Sequence, residues 1–409
     1  MKYKYGILSF FIIAAVVIWV AADAHLEICR YHQVPHDFRA SDSTCILTGH
    51  IEGYKMNAIG LTYMSEKGLK HINIDHHHGD FAVKLKVSEP GYAFISYNQY
   101  NWLPKYGRHS NCRIVIQPGD VIYVEGKADS LEVLNISGSP LTAQLDSIDK
   151  TVLSGFQKEY QMAFESTRIR HKEEWDSIWL IPDKAKQDEK WQDFSDKYGL
   201  DKLTDELSFL DYIKSHPHSI ISALELSRLS GNLNIEEYKS AYESLDSNIK
   251  RLSYAKTFKK RIDALANTQI GMQAPDLSLP DINGHRVKLS EMKGKVVLVY
   301  SWVTDKNSYH NGRSPEDLQK VYNQFHPKGF EIYAISTNQT KEKWQKTIVK
   351  DSMAWINVID TNQSQNHLIF NKYGQSADQS TILIGPDGKV LDRNIRATML
   401  KEKLAQLLP

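Results

Sequence analysis

Cysteine is nearly missing from this chain of 409 residues: there are three, Cys29, Cys45 and Cys112, and none beyond residue 112. The thiolate is the attacking species in disulfide exchange, so no thiol chemistry can be carried by the long stretch that follows. A surplus of one charge is missing too. Fifty Lys+Arg stand against 49 Asp+Glu, which argues against a nucleic acid or an acidic polymer as partner. Long apolar runs are absent after residue 22, so the body of the chain reads as lying outside a membrane. No G-x-S-x-G, Walker-type or G-x-G-x-x-G motif is present, and no Ser/His/Asp order argues for a nucleophilic triad. No cofactor is expected.

What is present begins with a processing signal over residues 1–24. Lys2 and Lys4 form a basic start, Ile7 to Val20 an unbroken apolar stretch, and Ala22-Asp23-Ala24 an A-x-A cleavage site, the order of a secretory signal peptide. An uncleaved anchor is the alternative, since Ile7 to Ala22 approaches the lower limit of a span; membrane contact is expected only through this segment. A lipidated Cys29 would need a small residue before it, and Ile28 is bulky. In an exported chain Cys45 and Cys112 are the candidate disulfide, both lying in one β-rich segment; the alternative is that all three cysteines are unpaired and Cys45 is simply a small buried residue.

Three compositions follow one another. Residues 40–140 read as an all-β domain, a small sandwich or barrel, with alternating segments at Thr44–Glu52, Ala58–Met64, His71–Asp75, Phe81–Val87, Ala93–Tyr97, Arg113–Ile116 and Val121–Ala128. Turn chemistry separates them, as in Glu89-Pro90-Gly91 and Gln117-Pro118-Gly119-Asp120. Residues 141–268 read as a helical connector of about five helices, broken at Pro182, Pro217 and Ser230-Gly231-Asn232. Residues 269–409 alternate strand and helix and finish on a hairpin over 381–395 and a helix, the pattern of an α/β domain.

This last domain resembles the TlpA/ResA-like, AhpC/TSA-type thioredoxin-fold proteins. Ile270 to Glu291, IGMQAPDLSLPDINGHRVKLSE, fits their opening hairpin at Gly271, Ala274, Pro275, Asp276, Leu279, Asp281, Gly284 and Leu289. Thr381 to Asp392, TILIGPDGKVLD, fits their late hairpin, and Val296 to Tyr300 their first core strand. In that family the strand leads into Trp-Cys-x-x-Cys. Here the Trp slot is Asp305, both cysteine slots are filled by Lys306 and Tyr309, and Asn307 and Ser308 lie between them. The family's cis-proline aligns with Gln379, before which a trans bond is expected. The segment 40–140 resembles the β-domain of unknown function that precedes TlpA-like domains in exported Bacteroidetes proteins, through Thr48-Gly49-His50-Ile51-Glu52-Gly53, Gly79-Asp80-Phe81 and Ser137-Gly138-Ser139-Pro140.

The resemblance implies thiol–disulfide chemistry that the residues do not support. The loop Asp305 to His310 is either a decayed redox loop or a repurposed polar pocket, with Lys306 as cation and Tyr309 and His310 as hydrogen-bonding groups beside a helix N-terminus suited to anions. His76, His77 and His78 form a weak metal candidate, because neighbours in a strand point to opposite faces; an exposed turn is the bland reading. Asn98 to Trp102, with Lys105 and Tyr106, suits peptide or sugar contact, against ordinary core and rim aromatics. The expectation is an exported thioredoxin-fold protein of the periplasm or cell envelope that lacks C-x-x-C and acts as a non-catalytic binding or structural module toward an envelope protein or peptide. The alternatives are a TlpA/ResA-like thiol-disulfide oxidoreductase or peroxiredoxin-like antioxidant protein, and a cysteine-independent enzyme using the 305–310 loop.

Overall fold

The computed structural model describes residues 40–53, 59–65, 68–74, 78–97, 111–198, 200, 206–229, 234–302, 314–337, 340–361, 368–375 and 380–409. They fall into two compact units: the chain up to Ser154 with Ser219–Leu224, and Gly155–His218 with Glu225–Pro409.

The first unit carries strands β1 (Thr44–Glu52), β2 (Ile59–Ser65), β3 (Gly68–Asn73), β4 (Asp80–Lys86), β5 (Gly91–Tyr97), β6 (Asn111–Ile116), β7 (Val121–Lys127) and β8 (Asn135–Ser137). They form two four-stranded sheets, ordered β4-β1-β7-β8 and β3-β2-β5-β6. Alternation sets the inner faces: Phe81, Val83 and Leu85 of β4 are buried while their neighbours are not. Leu47, Val83 and Val124 of one sheet and Leu61, Ile95 and Ile114 of the other belong to a single apolar cluster. Gly49 lets β1 approach β7, since a Cβ there would lie 1.8 Å from the Val124 carbonyl oxygen.

Two expectations are corrected here. The candidate Cys45–Cys112 disulfide is not formed: both thiols are free and buried. Cys45 on β1 and Cys112 on β6 stand in different sheets, and each fills a small apolar slot of the shared cluster. The strand expected at His71–Asp75 is β3, Gly68–Asn73, because its pairing with β2 starts at Ser65↔Gly68 and runs to Gly60↔Asn73. Ladder pairing outweighs the local apolar pattern there.

Eight α-helical segments occur among the described residues between Pro140 and Ala266: Pro140–Arg170, Lys172–Trp179, Lys184–Lys197, Glu206–Ser215, Ile220–Glu225, Ile235–Ser244, Ser247–Lys250 and Ser253–Ala266. This exceeds the expected five, because His171, the Leu245-Asp246 step and the Arg251-Leu252 step also interrupt the helices without any proline or glycine to announce it. Asn234 caps the Ile235–Ser244 helix, its side chain accepting from the Glu236 N–H at 3.0 Å.

The rest of the second unit is a small hairpin, β9 (Ser278–Pro280) with β10 (Arg286–Lys288), and a five-stranded sheet. The sheet is built from β11 (Val296–Trp302), β12 (Phe330–Ser336), β13 (Ile356–Ile359), β14 (Thr381–Ile384) and β15 (Val390–Arg393), in the order β13-β12-β11-β14-β15. β11, β12 and β13 are parallel, and β14 runs antiparallel to β11. Every residue of β11 and β12 is buried, as a sheet covered on both faces requires. Leu298, Tyr300 and Trp302 pack with Leu318, Phe325 and Leu404 on one face; Val297 and Val299 pack with Leu277, Tyr333 and Ile369 on the other. Helices Pro315–Phe325, Lys341–Lys350, Leu368–Tyr373 and Ala397–Leu407 complete the unit. No described helix is long and apolar enough to cross a membrane.

Candidate functional site

In open α/β sheets ligands sit beyond the carboxyl ends of the parallel strands. Here those ends are Trp302, Ser336 and Ile359, with the start of β14 beside them. The loop residues expected to matter, Asp305, Lys306, Asn307, Ser308, Tyr309 and His310, and Gln379 with its preceding peptide bond, lie outside the described residues. What is described is the frame that holds both segments.

Ser301 and Ser380 are the centre of that frame. The Ser301 N–H donates to the Ser380 carbonyl at 2.9 Å. The Ser380 N–H donates to Ser301 Oγ at 3.1 Å, and the two hydroxyls lie 2.8 Å apart. Both residues are buried. The residue that follows Gln379 is therefore fixed to the strand that leads into the 305–310 loop. The sequence carried a hint in one hydroxyl, Ser301, inside the otherwise apolar run VVLVYSW, but its partner 79 residues away could not be read from spacing.

Trp302 ends β11 wholly buried, and its carbonyl accepts from the Thr337 N–H at 3.2 Å. Its indole Nε1 and the hydroxyl of Ser336, the cross-strand partner of Trp302, have no hydrogen-bond partner among the described residues. The Ser336 carbonyl accepts from the Asp360 N–H at 2.9 Å. Asp360 is buried, and its Oδ2 accepts from the Leu368 N–H at 2.6 Å, placing a carboxylate at the positive end of the Leu368–Tyr373 helix.

The helix after the loop is fixed as its sequence predicts. Pro315 stands in the first turn, and Ser314 Oγ accepts from the Asp317 N–H at 3.1 Å while donating to the Asp317 carboxylate at 2.7 Å. Glu316 and Asp317 both occupy that first turn. They already neutralise the positive end of the helix, which weakens the expected preference of this loop for anions.

The two described thiols lie in the first unit. Burial, with Asp120 adding to it, pushes Cys45 up to about 12; burial, with Asp146 adding to it, pushes Cys112 up to about 11. Both stay protonated near neutrality and are poor nucleophiles. Of the histidine candidates, His76 and His77 lie outside the described residues, and His78 sits in the turn with φ 51°. No metal-holding group of His, Cys, Asp and Glu occurs among the described residues. The turn's Asp80 is engaged by His50 Nδ1 at 2.7 Å across the β1–β4 ladder, a pair that the resemblance did not single out. The aromatic segment 98–110 is also outside the described residues.

Residues 270–393 match the AhpC/TSA family. The thiol-disulfide oxidoreductase ResA of Geobacillus thermodenitrificans is 30% identical over 139 residues, covering 34% of this chain and 76% of that protein. Its namesake from Bacillus thuringiensis is 27% identical over 136 residues, 33% of this chain and 75% of that one. Among solved structures, the thioredoxin domain of a thiol-disulfide oxidoreductase from Bacteroides vulgatus is 29% identical, with a TM-score of 0.32, over 34% of this chain and 99% of that domain.

Proposed function

This chain belongs to the TlpA/ResA-like family of thioredoxin-fold proteins, and on that premise we propose that it is an exported, non-catalytic member, a binding or structural module of the cell envelope. The observation that carries the reading is the absence of any cysteine after residue 112, with Lys306 and Tyr309 in the two redox positions. The chemistry named for its relatives needs a thiolate at that loop. The thiols of Cys45 and Cys112 are buried in another unit and cannot stand in for it.

In this reading residues 40–140 are a two-sheet sandwich domain, 141–268 a helical connector and 269–409 the thioredoxin-like domain. The first 24 residues direct export to the periplasm or envelope, and the partner is an envelope protein or peptide. The balanced charge supports neither nucleic acid nor a polyanion.

The test is an insulin-reduction assay and mixed-disulfide trapping on the protein lacking residues 1–24. The proposal expects no turnover above buffer background and no trapped adduct at the loop; turnover above background overturns it. A second reading, a repurposed pocket formed by the 305–310 loop, is favoured by the unpartnered Trp302 Nε1 and Ser336 hydroxyl at the carboxyl ends of β11 and β12. Under that reading Lys306→Ala abolishes binding of an envelope component while leaving stability intact.

A further inference from the structure

Two arginines, Arg261 buried and Arg393 half-buried, converge on the turn that closes the Leu368–Tyr373 helix. Arg261, from the Ser253–Ala266 helix, donates from Nε to the Gly374 carbonyl at 2.9 Å and from Nη1 to the Leu229 carbonyl. Arg393, at the end of β15, donates from Nη2 to the Tyr373 carbonyl and from Nη1 to the Thr268 carbonyl, each at 2.7 Å. With the Gln375 amide oriented to satisfy both of its ends, its oxygen accepts from Arg393 Nη2 at 2.9 Å and Nε at 3.2 Å, and its nitrogen donates to Asn394 Oδ1 at 3.3 Å. Thr268 is fully buried, and its hydroxyl reaches the Ala264 carbonyl at 2.7 Å. Burial pushes both guanidinium groups below their ordinary value, Arg393 to about 10. Two guanidiniums drawn partly or wholly out of water and set largely against carbonyls are a costly arrangement that holds only with close geometry.

A second feature fixes the same turn. Gly374 has φ +65°, and a Cβ there would lie 2.6 Å from Leu265 Cγ and 2.8 Å from the Arg261 carbonyl oxygen. The helix can approach this closely only because the residue is glycine. Tyr373, Gly374 and Gln375 are thus held from the helix on one side and from β15 on the other. Downstream, Ser380 is held by Ser301. The described residues on both sides of 376–379, the segment that carries Gln379, are anchored.

We propose that Arg261 and Arg393 form a latch through which the last helix of the 141–268 segment sets the position of the Tyr373–Gln375 turn, and so of one end of the segment that carries Gln379. The helix is then a working part of the thioredoxin-like domain rather than a spacer before it. Coupling of this kind is reciprocal: loosening the turn loosens the end of the helix.

The experiment is amide hydrogen exchange on the full processed chain, comparing the native sequence with Arg261→Lys and Arg393→Lys, which keep the charge and lose the fork, and with Gly374→Ala. Expected is exchange about tenfold or more faster, as local opening allows, at Leu368–Gln375, at Ser380–Thr381 and at Ala264–Thr268, with the β12 amides unchanged. Unchanged exchange at these positions overturns the latch. Uniform acceleration across the five-stranded sheet overturns it too, since the arginines would then be general staples. If Gly374→Ala does not fold, the two lysine variants carry the test alone.

Discussion

The two β systems of this protein hold their buried polar groups differently. In the first unit, beside the apolar cluster that its sheets share, Thr48, Ser139 and Thr142 are buried and hydrogen-bonded: Thr48 Oγ1 donates to the Phe81 carbonyl at 2.9 Å, Ser139 Oγ donates to the Val115 carbonyl at 2.9 Å, and Thr142 Oγ1 accepts from the Val115 N–H at 2.9 Å. At one edge of the five-stranded sheet, Ser301, Ser336, Thr337, Asp360 and Ser380 are buried together. A buried polar group left unmade costs about 1–3 kcal/mol, and here Trp302 Nε1 and Ser336 Oγ have no partner among the described residues, so this edge is held at some cost. The difference marks the place where the frame fixes the described residues that flank two loop segments.

The largest test of the contrast is truncation at the end of β11. Trp302→Ala should destabilise the second unit by about 3–5 kcal/mol, the range for a buried tryptophan. Leu47→Ala in the first unit's core should cost about 2–5 kcal/mol. The sharper version is Trp302→Phe, which keeps most of the volume and removes an Nε1–H that has no partner. It should cost under about 1.5 kcal/mol in denaturant unfolding. A loss of several kcal/mol would mean that the indole N–H is normally satisfied, which counts against the pocket reading.

Alkaline titration should divide the units next. Burial holds Cys45 at about 12 and Cys112 at about 11, against 9.0 for an exposed thiol. In the unfolded chain these thiols ionise first, so the unfolded state binds fewer protons above pH 9 and stability falls as pH rises toward 11–12. Each thiol contributes about 1.4 kcal/mol per pH unit over its window. Tyr322, Tyr333 and Tyr373 of the second unit are raised from 10.0, mainly by burial, and act with the same sign from pH 10. The first unit should therefore weaken about one pH unit earlier, as the two reference values require. Urea midpoints followed by exchange in each unit check this, and Cys45→Ala should remove its share of the slope. A flat profile from pH 9 to 10 would show that the thiols are not desolvated.

Much of this was legible in the sequence, and where legibility ended is physically definite. Ser314-Pro315 followed by Leu318, Val321, Tyr322 and Phe325 spells a capped amphipathic helix, and the structure has it at Pro315–Phe325. Phe330–Ser336 and the Gly385–Gly388 turn were equally local, the turn closing with a Gly388 N–H to Gly385 carbonyl bond of 2.9 Å. β8 was missed because three residues on a sheet edge carry no period. The Ser301–Ser380 clamp and the Arg261–Gly374 contact span 79 and 113 residues, and no local pattern records such distances. The cysteines failed differently: their compartment suggested a bond, but whether two thiols meet depends on three-dimensional placement, and both are buried and free in the shared cluster.

The frame itself supplies a smaller test. Ser301→Ala leaves the Ser380 N–H without its hydroxyl acceptor and should cost about 1–3 kcal/mol. Adding Ser380→Ala removes the second hydroxyl but not that N–H, so the double variant should cost only slightly more than Ser301→Ala. A double-mutant cycle that proves additive would show that the hydroxyls do not act as a pair.

The smallest expected effect lies in the loop itself. Lys306→Ala and Tyr309→Ala should each change stability by no more than about 0.5 kcal/mol, the usual size for exposed positions. The reason lies in what surrounds them. The strand before the loop ends in a fully buried Trp302, and the helix after it is capped by its own Ser314, so each flank has described residues of its own to hold it. A loss of several kcal/mol on thermal or denaturant unfolding would contradict this and would mean that the loop now fills the old redox cleft, with Lys306 or Tyr309 supplying the partner that Trp302 Nε1 and Ser336 Oγ otherwise lack. Intact stability with loss of a bound envelope component would identify residues 305–310 as a binding surface. Intact stability without any lost partner would leave the loop as the one part of this edge that the frame no longer serves.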